Sequence, residues 1–352
     1  MKNKHYLFFL GHPAHYHLFR CTMEELRLQG NRITVMIKSK DILVDLLDAA
    51  GIEYINVLPE GRRDGTIGIV IGIIKKAQAL YRFCKIEKPD LMLGTAAEIA
   101  WVGKIIGIPS LVFNEDDVDL VKTFARIVYP FATHIVSPET TENKRWKRKT
   151  ITYPGYQKLA YLHPNRFAPD RNILNTYFNN NRPYSILRFA KLNAYHDVGA
   201  QGFTADVVRE TIRIMKQYGD VYITSERELE PEFEQYRLQI NPLHIHHIIY
   251  FAQLYAGDSQ SMAVEAAMLG TPSVRFSSFS GKISVLEELE HTYKLTIGIL
   301  PSDATKLYST IEALLCNPAK DDTFDERRKI MLSEKIDVST FFVQLANKFG
   351  NA

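Results

Sequence analysis

The chain has 352 residues, 46% of them hydrophobic and 24% charged, which suits two globular domains and excludes a disordered polymer. A formal net charge of +3 excludes the dense basic stripe of a nucleic-acid reader. Three widely spaced cysteines, Cys21, Cys84 and Cys316, exclude a disulfide framework and a zinc cluster and point to a reducing compartment. At the amino end, "MKNKHYLFFLGHP" has an apolar run that stops at Gly-His-Pro rather than at a small-residue cleavage site, so it predicts a strand. A helix near 14 to 29 follows, with Leu18, Phe19, Thr22, Met23 and Leu26 at helical spacing and Gly30 at its end; "RITVMIK" is the next strand.

The alternation continues through "DILVDLLDAAG", "EYINVLP", a helix near 67 to 86, "DLMLG", a helix near 96 to 106 and "IPSLVFN", with "THIVS" as the last strand of this half. The longest uncharged apolar run, "IGIVIGII", falls far short of the ~20 residues of a spanning helix, so the expected location is cytoplasmic. From 150 to 182 the pattern dissolves into Pro-, Asn- and Tyr-rich sequence, as an interdomain connection does. It resumes with "YSILRFA", a helix near 203 to 218, "DVYITS", a helix near 243 to 251, "LYAGDS", a helix near 261 to 269, "PSVRFS" and helices to the end. The expected fold is α/β: two doubly wound Rossmann-like domains, 1–165 and 180–330, facing a cleft, with a helix in 331–352 packing back on the first.

In open α/β sheets ligands lie beyond the carboxyl ends of the strands. Four loops follow such ends: "GHPAHYH", "NEDDVD", "FAKLNAYHDVG" and "GDSQSMAVEA". In the last, Asp258 ends a strand and Ser259 or Ser261 caps a helix whose amide end favours an anion such as a phosphate. Glu265 lies one turn further in, where its carboxylate can take a sugar diol. Arg188 and Lys191 would neutralise a diphosphate without metal, and His196 with Asp197 would orient each other or a sugar hydroxyl; the alternative is a solvated loop.

Glu115, Asp116, Asp117 and Asp119 form the dense acidic cluster, suited to a general base, to a divalent ion, or simply to the first turn of a helix. Of the three clustered histidines, His12 and His15 are candidate bases and His17 is structural. Around a helix starting near Pro13, His15 and His17 are about 200° apart, so the three do not close on one ion. "ENKRWKRKT", 142 to 150, sets five basic residues around Trp146, either a solvated run or, with an apolar face on the 67 to 86 helix, a peripheral contact with anionic lipid. "HIHH", with His244, His246 and His247, reads as helix packing or base contact rather than metal.

"LYAGDSQSMAVEAAMLGTPSVRF" resembles the donor half of GT-B-fold nucleotide-sugar enzymes, being similar to the lipid-linked N-acetylglucosaminyl transferases and the UDP-N-acetylglucosamine 2-epimerases. The matching positions are Ser259, Gln260, Ser261, Glu265, Leu269, Gly270 and Pro272; Gln260 and Ser261 stand where the family turn is glycine-rich. Most of the chain also resembles an uncharacterised GT-B-like family of surface-polysaccharide settings. The resemblance implies an acceptor-side first domain and a nucleotide-sugar-binding second domain. It implies a metal-independent glycosyltransferase that uses a nucleotide sugar, expected to be a UDP-sugar, as substrate, with no cofactor, a glycan or lipid-linked acceptor, and a place in the cytoplasm or at the inner face of the membrane.

Two alternatives stand beside it: a UDP-sugar 2-epimerase and a non-catalytic sugar-nucleotide binder. The epimerases carry acids where this chain has Thr95 and Asn114, with Glu115 one step off, and their "HRREN"-like loop is missing here. GT-B transferases commonly place a histidine fifteen residues before the glycine ending the next helix, the spacing of His15 and Gly30; His12 matches the Gly-His dipeptide instead, and Leu18 replaces a family proline. Glu115 and Asp116 complete the catalytic candidates. The nucleotide-sugar candidates are Arg188, Lys191, His196, Asp258, Ser259, Gln260, Ser261 and Glu265.

Overall fold

β1 (His5–Leu10) is buried at every position, as a parallel strand covered on both faces must be. The computed structural model describes residues 3–38, 42–58, 65–178, 182–190, 202–317 and 319–351. The chain forms two units: unit 1 is Met1–Arg166 with Ile336–Ala352, and unit 2 is Phe167–Lys335.

In unit 1, β1 is followed by α1 (Pro13–Leu28), β2 (Arg32–Ile37), α2 (Leu43–Ala49), β3 (Ile55–Asn56), α3 (Gly65–Glu87), β4 (Leu91–Gly94), α4 (Ala97–Ile106), β5 (Ser110–Phe113), α5 (Lys122–Val128), β6 (His134–Pro138), a basic 3-10 turn Lys144–Lys149, β7 (Thr150–Tyr153) and α6 (Leu159–Leu162). The strands run parallel in the order β3-β2-β1-β4-β5-β6-β7. Sequential order reverses between β1 and β4, so the crevice beyond their carboxyl ends is the switch point of this sheet.

"THIVS" is therefore not the last strand of this half: β7 pairs with β6 beyond it. "TITY", between a basic turn and Pro154-Gly155, is the edge strand of the sheet and only Tyr153 in it is buried, so no apolar run marks it.

Unit 2 contains β8 (Tyr184–Phe189), α7 (Ala205–Met215), β9 (Asp220–Ser225), α8 (Ile245–Tyr250), β10 (Leu254–Gly257), α9 (Gln260–Leu269), β11 (Ser273–Phe276), α10 (Ser284–Glu287), β12 (Thr296–Ile299), α11 (Ala304–Cys316) and α12 (Lys320–Glu334). Its parallel sheet has the order β12-β11-β10-β8-β9, which puts the switch point between β8 and β10. The helix expected near 243 to 251 is divided: Pro242 opens a 3-10 turn through His244, and α8 starts after it. α9 ends on Gly270, whose φ of 82° is the left-handed cap that glycine adopts without penalty.

The core of unit 2 lies between its sheet and α7 and α11, where Leu187, Phe189, Ile212, Val274 and Ile311 are buried together. In unit 1 the last helix, α13 (Val338–Gly350), is capped by Asp337, which receives Ser339 and Thr340 amides and pairs with Arg166 at 2.7 Å. Phe342 on this helix is fully buried among Phe19, Phe113 and Tyr153, with ring centroids 6.3, 4.6 and 5.5 Å away.

Candidate functional site

At the switch point of unit 2, parallel register aligns Thr224, Arg188, Gly257, Arg275 and Gly298 in one row across five strands. Residues in register share a face, so Arg188 and Arg275 flank Gly257, the last residue before the β10–α9 turn. A side chain at Gly257 would bring its Cβ to 2.6 Å from Tyr255 Oη and 2.7 Å from the Arg188 carbonyl oxygen; only glycine lets these strands meet there. Arg188 pairs through Nη2 with Glu226, while its buried Nε has no partner among the described residues.

The turn itself is tied to its neighbours by a buried carboxylate. Asp258 is buried; its Oδ1 accepts the Ala190 amide at 2.6 Å, and a Cβ on Gly202 would lie 2.6 Å from its Oδ2. The carboxylate thus holds Ala190 and lies against Gly202, on either side of 191–201; Lys191 and His196 fall in that segment, outside the described residues. Burial raises the Asp258 pKa, and the Ala190 amide and the Arg227 charge oppose the rise.

Ser259 caps α9, its Oγ accepting the Met262 amide at 3.4 Å, and the Gln260 side chain donates to the Asp258 carbonyl at 3.1 Å. Ser261 is exposed on the first turn, so the amide end of a ten-residue helix opens to solvent beside Arg188. Glu265, one turn in, is nearly buried and faces His246 of α8, Oε1 to Nε2 3.4 Å. Of the "HIHH" histidines, His244 meets Tyr177 Oη at 2.8 Å and His247 accepts the Asp170 amide at 2.9 Å, so all three hold neighbouring segments together.

Tyr255 was not among the sequence candidates, yet the charges of this site converge on it. It is fully buried; burial pushes its hydroxyl pKa well up, Arg188 opposes this, and Asp258, Glu265 and Glu226 add to it. Arg275 is the second addition. It is wholly buried, contacts Glu290 at 2.5 Å and Glu287 at 3.9 Å, and has no partner at Nε or Nη1 among the described residues. Burial lowers its pKa, and the two carboxylates oppose that. Glu287, Glu290 and His291 come close enough to share an ion, but two of the three already face this guanidinium.

The switch point of unit 1 holds a different chemistry. His12 caps α1, its Nδ1 accepting the Ala14 amide at 3.1 Å. His15 Nδ1 accepts the Gly11 amide at 3.1 Å. Thr95 Oγ1, at the exit of β4, lies 3.0 Å from Nδ1 and 2.9 Å from Nε2. Nδ1, which receives the Gly11 N–H, therefore acts as the acceptor nitrogen of His15, and Thr95 Oγ1, almost equally far from the two ring nitrogens, contacts the ring. The His12 and His15 ring centroids are 5.9 Å apart.

The acidic cluster separates by role. Glu115 Oε1 meets Lys158 Nζ at 2.6 Å, whereas its buried Oε2 has no partner among the described residues. The Asp116 carbonyl accepts Asn114 Nδ2 at 2.7 Å; Asp117 is buried and its carboxylate accepts the Glu142 amide at 2.7 Å; Asp119 pairs with Lys144 at the surface. Lys158, on no candidate list, is the buried counter-charge of Glu115; "YPGYQKLAYL" offers no local pattern that pairs it with a residue 43 positions earlier.

No curated protein matches the chain in sequence. Among solved structures it is similar to the spinosyn forosaminyltransferase SpnP (TM-score 0.68, 12% identity, 100% of both chains). It is also similar to the UDP-GlcNAc 2-epimerase of Neisseria meningitidis bound to UDP-GlcNAc (0.67, 14%, 98% of this chain and 100% of that one) and to MurG of Acinetobacter baumannii (0.61, 14%, 98% and 99%). At these identities the likeness establishes the fold, which is that of the GT-B enzymes. The family model described as protein of unknown function, DUF354, matches residues 9–289, and the chain belongs to that family.

Proposed function

We propose that the protein is a glycosyltransferase that takes a sugar from a nucleoside diphosphate, a UDP-sugar in the first instance, to a hydroxyl of a glycan or lipid-linked acceptor. The observation that carries the reading is the open amide end of α9 beside Arg188, whose buried Nε is uncommitted among the described residues. Fixed N–H donors and a guanidinium in a partly dry site hold a diphosphate and stabilise the charge that develops as it leaves. Glu265, steadied by His246, takes the ribose diol.

In the reaction the acceptor oxygen bonds to the anomeric carbon as the bond from that carbon to the diphosphate oxygen breaks. Arg188 and the helix end receive the negative charge in place of a metal. The hydroxyl proton passes to an imidazole of unit 1, His15 or His12, which exchanges its backbone N–H for the substrate hydroxyl.

Epimerisation at the second sugar carbon is the weaker reading. It needs an acid where Thr95 is hydrogen-bonded to His15 and where Asn114 is spent on the Asp116 carbonyl and Tyr129 Oη.

The test is NMR of a panel of nucleotide sugars incubated with the protein. Transfer or hydrolysis at the anomeric carbon is expected; a C2 epimer formed without acceptor, or unaltered sugar despite binding, overturns the reading. Glu265→Ala should weaken nucleotide binding roughly tenfold, the scale of one lost charged hydrogen bond, measured by calorimetry.

A further inference from the structure

At the opposite end of the unit 1 sheet, where chains enter the strands, three neighbouring loops form one surface. They are the α4–β5 loop, the α5–β6 loop and the basic turn before β7, adjacent because β5, β6 and β7 are adjacent. They are tied together: Trp101 Nε1 donates to the Ile127 carbonyl at 2.7 Å, and Lys149 Nζ donates to the Tyr129 and Pro130 carbonyls at 2.9 and 2.8 Å. Lys104 lies close enough to Lys149 to depress its pKa further below the range that burial already lowers. Trp146 packs its ring on Tyr129, centroids 5.8 Å apart, and carries Arg145 on its face at 4.8 Å.

This surface is apolar at its centre and basic around it. Ile105 is 71% exposed, and Ile127 and Phe131 are 44% exposed each, although burying them would be favourable. Lys104, Arg126, Arg145, Lys147 and Arg148 are exposed about them. Lys147 has Glu142 at 3.6 Å, but among the described residues no carboxylate pairs with Lys104, Arg126, Arg145 or Arg148. One loop further along the sheet, before β4, Ile86 is 78% exposed.

We infer that this strand-entry face docks on an anionic lipid bilayer, Ile105, Ile127 and Phe131 entering the headgroup boundary while the surrounding lysines and arginines meet lipid phosphates. An isolated basic run would be satisfied by water. Three large exposed apolar side chains among cations, four of which no described carboxylate pairs with, match an interface that is apolar inside and anionic at its rim. The apolar partner of the "KRWKRK" turn is thus the pair of loops beside it. His12, His15 and Glu115 stand at the strand exits, roughly 13–20 Å away along strands of four to six residues at about 3.3 Å each. Docking in this manner anchors the protein and leaves the reacting end clear of the headgroups. The inference does not rest on the nucleotide-sugar reading.

The test is sedimentation of the full chain with vesicles of phosphatidylcholine alone or with one third phosphatidylserine. Binding to the anionic vesicles at least tenfold tighter, and weakening with salt, is expected. Two variants separate the contributions: Ile105→Ser with Phe131→Ser keeps every charge, and Arg145→Gln with Arg148→Gln keeps every apolar group. Both alter exposed residues, so circular dichroism should show unchanged folding, and each should lower vesicle binding about tenfold. Equal binding to both vesicles, no binding to either, or indifference to the serine variant overturns the proposal. So does duplex DNA bound more tightly than vesicles without regard to the serine variant, or a dimer, seen by sedimentation velocity, that the serine variant dissolves. Nucleotide binding should be the same in both variants, so loss of docking is read separately from loss of catalysis.

Discussion

The two switch points share a backbone solution and differ in what they hold. In each, a glycine ends one central strand where a Cβ would strike the carbonyl of its neighbour, Gly94 against Phe9 and Gly257 against Arg188, 2.7 Å in both. Around Gly94 the side chains satisfy one another and the backbone: His15 with Gly11 and Thr95, His12 with Ala14. Around Gly257 two guanidiniums, Arg275 wholly and Arg188 partly buried, retain buried N–H groups that no described residue accepts. A buried donor without an acceptor is costly, and the proposed diphosphate would supply the missing acceptor. In unit 1 the groups at the switch point instead already have partners, which under the proposed reaction suits a base that exchanges one partner for another.

The largest effect that separates the two should come from His12→Ala combined with His15→Ala. Loss of the imidazoles removes general-base help worth about 10²- to 10⁴-fold, so turnover should fall by that order while nucleotide affinity, measured by calorimetry, stays within twofold. Full turnover in the double variant would take proton transfer away from unit 1. Next is Arg188→Met, which keeps the bulk and removes the charge. One charged hydrogen bond is worth about 1.5–3 kcal/mol, so nucleotide affinity should drop roughly 10- to 100-fold; unchanged affinity would break the contrast from the other side.

A smaller effect tests the shared backbone. Gly257→Ala forces the β8–β10 contact apart and should destabilise unit 2 by about 1–3 kcal/mol, the usual range for overpacking, seen as a lower urea midpoint. Gly94→Ala should do the same in unit 1. A variant that keeps its wild-type midpoint would show that the crevice is wider than the strands imply.

The strand-and-helix alternation was legible along most of the chain because each element carries its own periodicity. β7 escaped because, as an edge strand with Thr150, Ile151 and Thr152 only partly buried or exposed, it lacks the apolar run that marks the other four-residue strands; β12, also at an edge, falls among the helices expected to close the chain, and β3, two residues at a sheet edge, left "EYINVLP" mostly outside any strand. In the sites, legibility stopped where partners are distant. Ser259 and Glu265 could be read because cap and turn spacing are local, but nothing local pairs Glu265 with His246 or Glu115 with Lys158. Arg188 and Arg275 are 87 residues apart and meet in one row only through parallel register. Arg275 did leave a trace, since an arginine inside "PSVRF", a strand otherwise fit for burial, demands carboxylates or an anion. Tyr255 left none, because "LYAG" is equally good as plain core.

The smallest effect concerns pH and the buried carboxylate at the unit 2 turn. Burial raises the folded-state pKa of Asp258 above its unfolded value of 3.8. A raised carboxyl pKa means that the folded state binds more protons than the unfolded one between the two values, so stability falls as pH rises through that window and stays at the lower level beyond it. The clasp on Ala190 is therefore held at neutral pH against a desolvation cost. Asp258→Asn keeps an oxygen to accept the Ala190 amide and carries no charge. It should flatten the fall in melting temperature from pH 4 upward and leave the neutral-pH melting temperature equal to or slightly above that of the natural chain. If the substitution instead lowers it, the negative charge is needed in place, and Arg227, the cation that opposes the rise, becomes its partner.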